Sequence, residues 1–175
     1  AQFVTLRAKP RNPLTERLQL WSPAGPEPSE RTEEFLAASG ATQSRDVRIL
    51  LQHTRRAVKQ FATEDSLHAA AELSYLTARQ TESDDTQLAA ELYLDAAHYS
   101  WQYLAGNGNV RVRNPNAVEH RVTTDVYNSS VEGFMRLMNS EQSGEHREGF
   151  SLPLTGRSVR FEVPQPSAWI HPDQV

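Results

Sequence analysis

Glu91, Asp95 and His98 are the residues of this chain whose types and spacing come nearest to a chemical site. Offsets of four and three positions set them on one face of a helix, where two carboxylates and an imidazole could offer oxygen and nitrogen ligands to a metal, as in carboxylate-bridged bundles. Such a bundle takes further ligands from a facing helix. Glu72, with His68 one turn before it, is the only plausible donor there. The Glu91 face, however, adjoins an apolar stripe through Leu92, Ala96 and Tyr99, which is where a solvated face falls. Ordinary solvent and local contacts are therefore the favoured reading. The metal site is the weaker alternative, and no cofactor is assigned.

A second cluster is cationic. Arg48, Arg55 and Lys59, with Arg45 and Arg56, form a basic stripe that could hold a phosphate, an acidic partner or anionic lipid. The blander reading pairs these cations with the acids at Glu64–Asp65 and Glu82–Asp85. Trp101 and Tyr103 complete the set of candidate partner-binding residues, together with Arg48, Arg55 and Lys59. Nucleophilic catalysis finds no foothold. No Gly-x-Ser-x-Gly elbow is present, and Ser143-Gly144-Glu145-His146 stands in a polar stretch without strand–turn–helix context. Gly106-x-Gly108 lacks the third glycine and the βαβ setting of a dinucleotide fingerprint. The absence of cysteine rules out disulfides, thiolate nucleophiles and iron–sulfur clusters.

The elements that must position these residues are helical. The 175-residue length suits one domain with a core of its own, and a formal charge of −4 argues against a dedicated nucleic-acid binder. No apolar run is long enough to span a membrane. Residues 1–28 are proline-punctuated and read as an extended segment anchored by Leu14, Leu18, Leu20 and Trp21, with room for a short helix over Thr15–Leu20. Helical signals then begin at Pro28-Ser29 and stop at Ser39-Gly40. Periodic apolar positions predict further helices over about 44–62, 65–80, 85–104 and 115–138. Phe61 falls in the stripe of the 44–62 helix, and Leu88, Leu92, Ala96, Tyr99 and Tyr103 make the stripe of the 85–104 helix.

The alanines at 69–71, 89–90 and 96–97 allow the third and fourth helices to approach closely, a tetratricopeptide-like hairpin in packing without the full consensus. Beyond the polar stretch, residues 150–163 alternate apolar and polar on both sides of Thr155-Gly156, a β-hairpin pattern with Pro153 marking an edge. The expectation is a mainly α fold, a helical-hairpin bundle of four to five helices with a small C-terminal antiparallel β-hairpin. Its divisions are 1–28, 29–139 and 140–175. The chain begins at Ala1 and stops at Val175 without a closing element, so both ends read as cut.

Several stretches, taken together, resemble a known family. Phe3-Val-Thr-Leu-Arg7, Pro10-Arg-Asn-Pro-Leu14 and Pro26-Glu-Pro-Ser-Glu-Arg-Thr32 are similar to the opening of large secreted or lipid-anchored α/β-hydrolases of lipase/esterase type, notably of planctomycetes. The middle (Ala71-Glu-Leu-Ser-Tyr75, Tyr93-Leu-Asp-Ala-Ala97, Tyr103-Leu104) and the end (Thr124-Asp-Val-Tyr-Asn128 and the hairpin Leu152–Val163) carry the likeness across nearly the whole chain. The resemblance implies a non-catalytic N-terminal helical region, with the nucleophile, acid and histidine beyond Val175. It also implies a location in the bacterial envelope or outside the cell. The partner would be the hydrolase domain of the same polypeptide. The alternative is a free-standing helical module for a protein or peptide. The anchoring cysteine that the family leads one to expect upstream is absent.

Overall fold

A computed structural model of the chain describes residues 27–41, 44, 46–106, 117–141, 150–154 and 157–161. Among these the protein is mainly helical, with five helices: α1 (Glu30–Ala38), α2 (Val47–Gln60), α3 (Glu64–Thr81), α4 (Thr86–Ala105) and α5 (Val118–Glu141). The expected anchors at 14–21, and the short helix over 15–20, lie outside the described residues. The chain divides into two compact units, Ala1–Phe134 and Met135–Val175, with the division inside α5.

Local chemistry sets each helix start. Ser29, Asp46, Thr63 and Asp85 are N-caps whose side-chain oxygens accept from backbone N–H groups that would otherwise lack partners. Thr63 goes further. It forms a reciprocal capping box with Ser66, which starts α3 at Glu64, one residue ahead of the 65–80 span that the apolar periodicity predicts. Gly106 ends α4 at φ 72°, in the left-handed region that glycine adopts without a Cβ penalty.

Helix α3 is the centre of the first unit. Every residue from Ser66 to Ala78 is buried, including His68, Glu72, Ser74 and Thr77. An element buried all round lacks a polar stripe, and its polar residues must find partners inside. The neighbours of α3 are α1, α2 and α4. The first part of α5 also reaches it, through a His68–Thr123 hydrogen bond. Ala70, Ala71, Ala89, Ala90 and Ala96 are fully or almost fully buried, so the alanine-lined approach of α3 and α4 is part of the core.

Three expected core positions are outside it. Phe61 is 78% exposed because it is the C-cap of α2, with extended backbone (φ −148°, ψ 106°) that takes it off the helical stripe. On α4 the buried face runs through Ala89, Leu92, Tyr93, Ala96, Ser100 and Tyr103, so the stripe is rotated away from Leu88 and Tyr99.

Candidate functional site

The most tightly organised polar group among the described residues joins α1, α3 and α5. His68 and Glu72 stand one turn apart on α3 and share a face. Ser29, the N-cap of α1, meets both. Its backbone N–H donates to Glu72 Oε1 at 3.0 Å and its hydroxyl donates to Glu72 Oε2 at 2.8 Å. The same Oγ lies 3.4 Å from His68 Nε2. On the other side of the ring, Nδ1 is 2.8 Å from Thr123 Oγ1, whose own proton goes to the Glu119 carbonyl at 2.8 Å. The hydroxyl can therefore only accept from the ring, which assigns the proton to Nδ1.

Burial, helped by the positive charge of Arg31, pushes the His68 pKa down to about 3, against a smaller opposing pull from Asp65. The imidazole is thus neutral at ordinary pH. Tyr103 packs beside it, with ring centroids 5.8 Å apart. Arg31 closes the outside of the cluster. It pairs with Asp65 at 2.6 Å and donates to Tyr103 Oη at 3.4 Å.

A serine beside a histidine invites comparison with an activated nucleophile, but the geometry is wrong for it. The Ser29 proton is committed to Glu72 rather than to the imidazole, and Nδ1 rests on a hydroxyl rather than a carboxylate. Ser29, His68 and Glu72 are only 6%, 2% and 1% exposed, so no ester could reach the hydroxyl. The cluster fastens helices together.

The residues singled out in the sequence are distributed elsewhere. Asp95 Oδ2 pairs with Arg55 Nη2 at 2.5 Å, and His98 Nε2 lies 3.1 Å from Gln102 Nε2, one turn along α4. Glu91 is half-buried on the same helix. Among the described residues no group of three or more His, Cys, Asp or Glu could hold a metal ion. Glu72 and His68, the suggested facing donors, are engaged with Ser29 and Thr123 instead.

The cations also pair differently from the sequence reading. Asp65 is taken by Arg31, Glu82 accepts from Tyr93 Oη at 2.6 Å, and Arg55 belongs to Asp95. Arg48 reaches Thr81 Oγ1 at 3.4 Å, while Arg56 and Lys59 are exposed, and Arg45 lies outside the described residues. Of the two aromatic candidates, Tyr103 is a core residue at 4% exposure. Trp101 is 59% exposed. It sits 6.2 Å, centroid to centroid, from Tyr127 of α5, with Val131 (39% exposed) one turn beyond Tyr127.

The Ser29–Glu72–His68–Thr123 cluster was not legible as a unit. The one local signal was His68-x-x-x-Glu72 inside an alanine-rich helix, where two polar residues on one face of an otherwise apolar segment call for buried partners. Comparison of the chain with protein-family models, curated proteins and solved structures gives no match.

Proposed function

We propose that this chain is a non-catalytic helical accessory domain that acts by protein contact, of the kind that precedes the catalytic domain in envelope-associated serine hydrolases. The observation that carries the non-catalytic half is the sealing of Ser29 and His68, the one serine–histidine pair brought together among the described residues. The contact surface is the Trp101–Tyr127–Val131 patch across α4 and α5. A large aromatic ring left in water beside a second ring is the composition of an interface anchor. The parent activity rests on the resemblance of residues 3–14, 26–32, 71–75, 93–104 and 124–128. The reading includes tetratricopeptide-like packing of α3 on α4 and a small C-terminal antiparallel β-hairpin. Cross-strand contacts between Leu152 and Val159 in solution would test the hairpin.

The decisive experiment starts from the native gene. A reading frame continuing past Val175 into a Gly-x-Ser-x-Gly sequence supports the accessory role. A stop codon there removes it and leaves a free-standing protein- or peptide-binding module. With the following domain in hand, titration against this chain should change Trp101 fluorescence, and Trp101→Ala should weaken the complex at least about tenfold, the scale of an aromatic anchor. Unchanged affinity in that variant would exclude the patch. The chain alone should not hydrolyse short-chain esters. Turnover that survives repurification and vanishes on Ser29→Ala would overturn the non-catalytic reading.

A further inference from the structure

Helix α2 carries a surface that neither the buried cluster nor the Trp101 patch uses. Between Val47 and Gln60 it has four cations, Arg48, Arg55, Arg56 and Lys59, and no acid. Its inner face, with Leu50, Leu51 and Thr54 buried, packs against α3. Arg55 is drawn aside to Asp95. The outer face is left with Arg48, Gln52, Arg56 and Lys59 in a row about 16 Å long, at 1.5 Å of rise per residue. Among the described residues no carboxylate forms an ion pair with Arg48, Arg56 or Lys59. Two bulky apolar side chains accompany the row in water: Ile49, 55% exposed, near its start, and Phe61, 78% exposed, just past its end. The acids nearest in sequence, Asp46 and Glu64, lie beyond the two ends of the helix, and Asp46 is occupied in capping it.

We propose that this face of α2 binds an anionic lipid surface, with Arg48, Arg56 and Lys59 at the level of the headgroups and Ile49 and Phe61 entering the interface. Cations interleaved with exposed aromatic and aliphatic side chains on one helix face are the arrangement that lies in the plane of a bilayer surface. The surface is the outside of one helix rather than a groove between two. That suits a flat, diffuse array of negative charge better than a single acidic peptide. The overall charge of −4 does not oppose it, because screening confines the attraction to charges within about 10 Å at 0.1 M salt. No described helix is long and apolar enough to cross a membrane, so the contact is peripheral. It rests on α2 alone and stands apart from the hydrolase reading.

Co-sedimentation of the full chain with vesicles tests it. Phosphatidylcholine vesicles holding about 30 mol% phosphatidylglycerol should pull the chain down, and pure phosphatidylcholine should not; about 0.5 M salt should release it. Replacing Arg56 and Lys59 together by Gln should lower the vesicle affinity by about 25-fold, since each surface cation contributes about fivefold. Phe61→Ser should lower it independently. Circular dichroism of each variant should match the parent, because all three side chains are exposed. Failure to sediment with anionic vesicles, or binding indifferent to the Arg56/Lys59 change, overturns the proposal. Binding that needs the cations, ignores Phe61→Ser and is competed by soluble polyglutamate would instead assign the face to an acidic polypeptide, and overturn it equally.

Discussion

Glu72 is a carboxylate at 1% exposure in the middle of an alanine-rich helix, and what makes that tolerable is a residue 43 positions away. Ser29 gives it two donors from one residue, backbone and side chain, while also capping α1. Ser29→Ala removes the cap, worth about 1 kcal/mol, and strips a buried carboxylate of a hydrogen bond, worth about 1–3 kcal/mol more. Denaturant melts of this variant should therefore show a loss of about 2–4 kcal/mol. A loss within error of zero would mean that water enters and replaces the hydroxyl. His68 adds a pH dependence whose sign follows from its depressed pKa. Between about 3 in the folded chain and about 6.5 in the unfolded one, only the unfolded chain binds the proton. Its contribution to stability is then complete above pH 6.5 and declines as the pH falls, by up to about 1.4 kcal/mol per unit. The charged and titratable groups facing the ring are Glu72, Asp65, Arg31 and Tyr103. The measurement is taken as a difference between variant and parent, which cancels the contributions of the groups that the two proteins share. Between pH 7 and pH 5, His68→Gln should lose less stability than the parent, and equal slopes in the two proteins would exclude a buried neutral His68.

Helices α4 and α5 meet where one of them has no side chain. A Cβ built on Gly133 would lie 2.7 Å from Tyr93 Cζ and 2.9 Å from each Cε. The ring cannot simply swing away, because it is 1% exposed and its hydroxyl is held by Glu82. Burial, reinforced by the Glu82 hydrogen bond and charge, also raises the Tyr93 pKa above its ordinary value. Gly133→Ala would gain about 1 kcal/mol of helix propensity in isolation and lose about 1–3 kcal/mol to overpacking, so the net change should be destabilising. Gly133→Ala/Tyr93→Phe should recover part of the loss by freeing the ring from Glu82. A stabilised single variant would mean that the helices separate easily at this point. The same overpacking argument applies between α3 and α4, where Ala70→Leu or Ala96→Leu inserts a large side chain at a fully buried position. The alanines and the Ser29 cap were legible because they act over a few residues: Ser29 with the turn after it, small residues clustered on the facing helices. The rotation of the α4 stripe away from Leu88 and Tyr99 was not. Ser100 is as apolar-facing in the fold as Ala96, and a hydroxyl in the core is decided by neighbouring helices rather than by its own sequence. Phe61 misled for a local reason, since its spacing fits a stripe that its extended backbone has already left.

Across the first unit, stability should be graded outward from α3. That helix is buried from Ser66 to Ala78 and is bounded by α1, α2 and α4, with Thr123 of α5 on His68. Opening it would expose the whole core, so its amides can exchange only in the global unfolding event. Helix α1 is at the other extreme. Only Thr32 and Leu36 of its nine residues are buried, and it is tied down by Ser29 on Glu72 and by Arg31 on Asp65 and Tyr103. The Arg31–Asp65 pair is substantially hydrated on the Asp65 side, at 58% exposure, and a pair of that kind contributes at most about 1 kcal/mol. The attachment of α1 therefore depends mainly on the Ser29 contacts and the buried Thr32 and Leu36 side chains, too little to couple it fully to the rest. Native-state hydrogen exchange should find the amides of Leu73–Thr77 slowest and those of Glu33–Leu36 faster by orders of magnitude, with free energies of opening below the global value. Ser29→Ala should then speed exchange in α1 more than the accompanying loss of global stability requires, while Arg31→Gln should have a smaller effect. If α1 exchanges at the α3 rate in the parent chain and the two variants slow or speed both helices alike, α1 folds and unfolds with the core, and the buried hydrogen bonds of Glu72 are then stronger than their number implies.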